Sequence, residues 1–298
     1  MPPMVKGSTA LVVGGVGPIG RSIVRGFLQA GAEVIINSRS EAKLAALAKD
    51  LGHPAGLHCV LGTMMPSGVD RTMEKVLSIG TPSHVVAHAG VAWFTPKGDE
   101  DETNILASPR GSLLEMDRQV FADSTGLLVN MQFGVASLLI PKMRQMQGCS
   151  YTFITGTSST MQRDLSPLSR INTHHISGLA SALRAESKSR ADSIYLSELR
   201  IGNLPMRNLP SMAKDPTQMP LSAEIGMLAA GIATTGARWA GPQSGGDLYS
   251  VGSLDELNAL RARFPVDEVP GPKIPALWHW QGHSDRTLKP RMETGDGE

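Results

Sequence analysis

Seven short, mostly apolar runs punctuate the chain: Ala10–Val13, Val34–Ile36, Leu57–Val60, Val85–Ala87, Tyr151–Thr155, Ile194–Leu199 and Asp247–Val251. Hydrophobicity that is continuous rather than alternating is what a strand covered on both faces requires, so each run predicts a buried strand. Between them, apolar positions recur with helical spacing over Ile19–Ala30, Ser40–Leu51, Val69–Ile79, Met116–Met146, Ile171–Ser189 and Ala223–Thr234. Strand alternating with helix predicts the α/β class, a doubly wound parallel sheet of seven strands. Three stretches break the rhythm. Ala92–Gly111 carries the acidic run Asp99–Glu102 and is expected to be a solvated loop, and Asn203–Pro220 holds four prolines and three methionines. Pro265–Glu298 is a Pro-rich extension with Trp278 and Trp280 and a polar, partly disordered end, which leaves residues 1–264 as a single domain.

Composition narrows the partners. In 298 residues, 28 basic side chains face 27 acidic ones, so no global field draws the chain to nucleic acid or an anionic membrane. A small-molecule partner is expected instead. Cys59 and Cys149 stand alone, without the spacing of a zinc site or a disulfide framework, so no metal is expected and a reducing, cytoplasmic setting fits. The first residues lack a signal-peptide pattern, and no run of about 18 apolar residues suggests a membrane helix.

The first chemical signal follows the first strand. Gly14-Gly15-Val16-Gly17-Pro18-Ile19-Gly20 leads directly into the helix beginning near Arg21. Glycines there let the backbone turn tightly and approach a pyrophosphate, whose charge meets free N–H groups and the positive end of a helix dipole. A strand before and a helix after are the context that makes such a turn a dinucleotide site. At the end of the second strand, Ser38 and Arg39 occupy the place where NAD-binding folds usually carry an acid for the ribose hydroxyls. An arginine there clamps a 2′-phosphate, so NADP(H) is the expected cofactor.

These residues resemble the short-chain dehydrogenase/reductase family, a Rossmann-type fold. The family pattern Gly-x-x-x-Gly-x-Gly is matched by Gly14 and Gly20, with Pro18 where the middle glycine is expected. That proline removes one N–H from the phosphate grip. His88-Ala89-Gly90 resembles the family's Asn-Ala-Gly stretch after strand four, with His88 replacing an asparagine. Gly178-Leu179 and Leu183-Arg184-Ala185-Glu186 resemble its active-site helix.

The resemblance implies a Tyr-x-x-x-Lys pair at the start of that helix, the tyrosine exchanging a proton with substrate and the lysine lowering its pKa. Registering the helix on Gly178-Leu179 places Ser169 and Thr173 there; counting back from the sixth strand places Ile171 and His175. Neither register restores the pair. The serine that precedes it in the family falls in Thr155–Ser159, where Ser158 or Thr157 offers a hydroxyl, and the fourth-helix asparagine registers on Leu128, two residues from Asn130. Asn172, Thr173 and His174 are the polar groups nearest the vacated tyrosine, and Arg163 and Asp164 precede the helix. Met206, Met212 and Met219 suit an adaptable apolar wall for a bulky substrate.

Three functions remain open: an atypical NADPH-dependent reductase, a non-redox isomerase, dehydratase or cyclase on the same scaffold, and an inactive nucleotide sensor. The resemblance also implies a homodimer or homotetramer formed through Met116–Met146 and Ile171–Ser189.

Overall fold

The computed structural model describes residues 7–88, 113–156, 167–202, 221–237 and 246–266. Its strands are β1 Thr9–Val13, β2 Glu33–Ser38, β3 Leu57–Leu61, β4 His84–Ala87, β5 Ser150–Gly156, β6 Tyr195–Ile201 and β7 Leu248–Val251. Its helices are α1 Pro18–Gln29, α2 Glu41–Asp50, α3 Val69–Ile79, α4 Arg118–Met143, α5 Pro167–Arg190, α6 Leu221–Gly231 and α7 Leu254–Arg263. Every expected strand and helix is present within a few residues of its expected bounds. Helix α7 was not anticipated, although Ser253 and Glu256 form a full capping box at its start and Arg261 and Arg263 sit in its last turn.

The strands make one parallel sheet in the order β3-β2-β1-β4-β5-β6-β7. Successive side chains alternate between its faces. Ala10, Val12, Ile36, Val86 and Leu199 join the core under α1 and α6, whereas Leu11, Val13, Val85, Phe153 and Leu196 join the core with residues of α3, α4 and α5. Burying each such side chain stabilises the fold by about 1.5–3 kcal/mol, which explains why the strands read as unbroken apolar runs.

Two glycines set the approach of α1 to α6. A Cβ on Gly226 would stand 2.0 Å from the Ser22 carbonyl oxygen, and one on Gly26 would stand 2.5 Å from that of Gly226. Helix α4 is long and apolar enough, by length and composition, to cross a membrane, which the sequence reading did not anticipate. Leu128, Val135, Leu139 and Met143 of this helix are buried in the core, the pattern a central core helix shares with a membrane span. The expected loop at Ala92–Gly111, the segment Asn203–Pro220 and the tail from residue 267 lie outside the described residues.

His84 opens β4 in a buried position, its Nδ1 2.9 Å from Ser150 Oγ, and burial lowers its pKa to about 4. The free imidazole titrates near 6.5, so between those values the unfolded chain binds a proton that the folded chain refuses. Stability from this group is therefore full above about pH 6.5 and is lost as pH falls towards 4. Urea unfolding at pH 7 and pH 4.5 should differ by on the order of 2 kcal/mol more in the unmutated chain than in His84→Gln. Separately, Gly226→Ala should lower the melting temperature by several degrees, a cost of about 1–3 kcal/mol, because the new methyl meets backbone rather than a movable side chain.

Candidate functional site

The parallel connections bring the ends of β1, β2, β4 and β5 to one edge of the sheet. At β1, Gly14 takes φ +76°, Gly17 N–H donates to the Gly14 carbonyl at 3.1 Å, and Gly17 is the N-cap of α1. Pro18 is the first helical residue, a position where its missing N–H costs the helix nothing and its fixed φ suits the start. The first-turn amides of Ile19 and Gly20 follow, in the part of a helix whose N–H groups have no intrahelical acceptor. At two of its glycines the turn has no room for a side chain. A Cβ on Gly20 would lie 2.3 Å from the Gly14 oxygen, and one on Gly15 would lie 2.8 Å from Ile36 Cγ2.

Beside this turn, Ser38 ends β2 buried, its Oγ accepting from Ser40 N–H at 3.1 Å, and Arg39 follows it at the surface. On the other flank, His88 follows β4, its N–H donating to the Val13 carbonyl at 3.1 Å. The His88 ring packs against the turn, with Cε1 3.9 Å from where a Cβ on Gly17 would stand, and its buried Nδ1 has no hydrogen-bond partner. Burial lowers its pKa to about 4, opposed by its hydrogen bond with Gly14. The turn, the β2 end and His88 thus stand side by side, as their sequence motifs imply. Ala89, Gly90, Ser158, Arg163 and Asp164 lie outside the described residues, as do Met206, Met212 and Met219.

Helix α5 brings its start to the same edge. Ser169 lies in its first turn, and Asn172 and Thr173 are buried, whereas His174 and His175 are on the exposed side. Asn172 Nδ2 donates to the Ser124 carbonyl of α4 at 3.4 Å, and its buried Oδ1 is left without a partner. His175 Nδ1 lies 3.1 Å from the Thr125 carbonyl, so it serves the contact between the two helices. On α4, Leu128 is buried and Asn130 exposed, in keeping with the two-residue offset of that asparagine.

Below Thr173 the structure holds a charged group that the sequence reading missed. Glu198, in the middle of β6, is fully buried. Its Oε1 accepts from Thr155 Oγ1 at 2.8 Å, Ser177 Oγ at 3.0 Å, and Arg200 Nε and Nη2 at 3.3 and 2.9 Å. Its Oε2 accepts from Arg184 Nη1 at 3.2 Å. The available signal was the pair of charges in Tyr195–Ile201, a run otherwise composed like a buried strand.

The sequence profile described as short chain dehydrogenase matches residues 8–167, more than half of the chain. The chain belongs to the short-chain dehydrogenase family. Membership supports an oxidoreductase in general. No curated protein matches the chain at a significant level. Among solved structures, the fold is similar to L-sorbose reductase from Gluconobacter frateurii complexed with NADPH and L-sorbose. The TM-score is 0.63 and the identity 18%, over 85% of this chain and 97% of that one. It is also similar to 3-ketoacyl-(acyl-carrier-protein) reductase from Brucella melitensis complexed with NADH, with TM-score 0.60 and 17% identity, over 85% and 99% of the two chains.

For a short-chain dehydrogenase, the placement of the tyrosines is telling. Tyr195 and Tyr249 hydrogen-bond each other, and Tyr249 donates to Asp247 Oδ2 at 2.9 Å, at the beginnings of β6 and β7 and so at the opposite edge of the sheet. Tyr151 is fully buried near the start of β5 with its hydroxyl unpartnered. Burial raises the pKa of all three, that of Tyr249 to about 12. None supplies a proton at the α5 edge. Among the described residues, no group of three His, Cys, Asp or Glu side chains is arranged to hold a metal ion.

Removing the Glu198 charge should be costly, because two arginines then lose their buried acceptor. Glu198→Gln is expected to destabilise the fold by about 3–5 kcal/mol in urea unfolding, against less than about 1 kcal/mol for Glu186→Gln in the exposed Arg190 pair.

Proposed function

We propose that this short-chain dehydrogenase holds NADP(H) at the β1–α1 turn and acts on a small, bulky, largely apolar metabolite without the family's tyrosine–lysine pair. The observation that supports the cofactor assignment is the tight turn itself: a side chain at Gly15 would strike Ile36 and Val24, and one at Gly20 would strike the Gly14 backbone, so only glycine lets the turn lie this close to the start of α1. The Ile19 and Gly20 amides face the pyrophosphate at the α1 N-terminus, and the Ser38 hydroxyl and the Arg39 guanidinium receive the 2′-phosphate. His88 borders the ribose and nicotinamide side, and Ala89 and Gly90 follow it in the family-like stretch of the sequence. The similar reductases in complex with NADPH and NADH support a nicotinamide cofactor. When bound, that cofactor supplies the hydride; the protein supplies position and electrostatics.

In this proposal Ser169 and Thr173 stand where the family has its acid and its cation, and Ser158 stands near its serine. An aliphatic hydroxyl is a far weaker acid than a phenol of pKa about 10, so Ser169 orients a carbonyl oxygen but does not efficiently protonate it. Asn172, buried with an open acceptor, and His174 at the exposed rim are the remaining polar candidates around that place. The loss of the acid also favours a second function, an isomerase, dehydratase or cyclase in which orientation of the substrate does most of the work. The same proposal reads α4 and α5 as the contact of a homodimer or homotetramer, since Val120, Phe121 and Phe133 of α4 remain exposed. A cytoplasmic location completes it.

Titration with NADPH and NADH tests the cofactor assignment: NADPH should bind more tightly, and Arg39→Ala should remove roughly a 10–100-fold preference, the worth of one or two charge-assisted hydrogen bonds. Equal affinities in the unmutated chain would sink it. Incubation with NADPH and a panel of simple aldehydes and ketones should oxidise the cofactor at close to background rate; rapid turnover would reveal a proton donor other than those named. Light scattering at micromolar protein that reports a 31.6 kDa particle would contradict the oligomer.

A further inference from the structure

We propose that Arg200 is the anion-binding group of this site and that the substrate carries a carboxylate which it receives. The inference rests on the reading of the C-terminal edge of the sheet as the substrate end. Helix α5 runs back along the sheet, opposite in direction to β5 and β6. Ser177 meets Glu198, which fixes the level of the helix against the strand. Thr173 lies four helical residues nearer the open edge, a rise of about 6 Å. Arg200 lies two strand residues nearer the same edge, a rise of about 6.6 Å. The two therefore stand at one level, and Arg200 pairs in register with Thr155, next to the last residue of β5. The Arg200 backbone is thus level with the position where Thr173 replaces the family's lysine on α5, and its guanidinium reaches back to the Glu198 oxygen that Ser177 also meets.

The local charge count points the same way. Among the described residues one buried carboxylate faces two guanidiniums, so within them the Glu198–Arg184–Arg200 group carries one positive charge in excess. That charge is biased to the open edge: Arg200 has 30% of its side chain exposed and Arg184 16%. Arg200 is also locked. Glu198 Oε1 accepts from both Nε and Nη2, which holds the guanidinium plane while part of the side chain stays exposed. A planar, braced guanidinium at the rim of a low-dielectric core matches a planar anion with two oxygens, the geometry of a carboxylate. It leaves the proton question of α5 unchanged and assigns a different property, the charge of the substrate.

The test uses the full chain and two probes of one shape, 3-phenylpropanoate and 3-phenylpropanamide, titrated by calorimetry with and without NADPH. The carboxylate should bind at least about tenfold more tightly than the amide, the discrimination one charge-assisted pair provides. In Arg200→Gln that preference should vanish while amide affinity holds; the melting temperature should fall, because the buried Glu198 loses two of its hydrogen bonds and keeps Arg184. Arg200→Lys covers the case in which the glutamine variant does not fold: it keeps the charge, loses the planar fork, and should weaken the carboxylate several-fold without affecting the amide. Equal affinity for the two probes in the unmutated chain, no carboxylate binding at all, or a preference that survives Arg200→Gln would each overturn the assignment. NADPH affinity, read from the cofactor's own fluorescence, separates this inference from the cofactor proposal. Its absence alongside an intact carboxylate preference would overturn the cofactor and support Arg200.

Discussion

A parallel sheet can be built only if the chain returns through a helix after every strand, and here that constraint decides where all the chemistry sits. The βα connections open on one edge, so the ends of β1, β2, β4, β5 and β6 and the beginnings of α1 and α5 collect there, whatever residues they carry. Both faces of the sheet are buried under helices, so the edge is the place left for polar groups with work to do. The tight crossing of α1 and α6 at Gly26 and Gly226 belongs to the same constraint, because it seats α1 with its N-terminus over the end of β1.

Against that frame, the group around Glu198 is costly and informative. A fully buried carboxylate among apolar side chains is tolerated only when its lone pairs are filled, and Thr155, Ser177, Arg184 and Arg200 fill them. The group ties β5, β6 and α5 together at the level of Ser177, one helical turn from Thr173. In the proposed site the nucleotide half keeps the glycine turn with Pro18 and His88 as its departures from the family pattern, and the sheet rather than the helix would supply the fixed charge of the substrate half.

The fold was legible because its signals are local and redundant. Apolar runs such as Val34–Ile36 leave no choice but a buried strand, and the Gly14–Gly20 turn announced both the strand before it and the helix after it. Helix α7 was legible too, in its capping box, in Leu254, Leu257 and Leu260 at three-residue spacing and in its basic last turn, although Leu257 is its one fully buried residue. The site was legible where function needs backbone, in glycines and in Pro18 at the first helical position. It was not legible where function depends on pairing across space. Nothing in the spacing of Thr155, Ser177, Arg184, Glu198 and Arg200 shows that they converge, since three elements and the sheet register are needed to bring them together. Helical rotation, by contrast, already puts Asn172 and Thr173 nearer the face of Ser169 than His174 or His175, and in the structure the first two are buried and the two histidines exposed.

The central claim is that the edge formed by the β1–α1 turn, the end of β2 and His88 is a dinucleotide cradle. Hydrogen–deuterium exchange of the full chain with and without saturating NADPH measures it at the backbone amides concerned. The account predicts slowed exchange in peptides covering residues 14–21, 37–40 and 87–89, with little change at the opposite edge around Tyr195 and Tyr249. Unchanged exchange at the turn, or protection confined to the opposite edge, would contradict it.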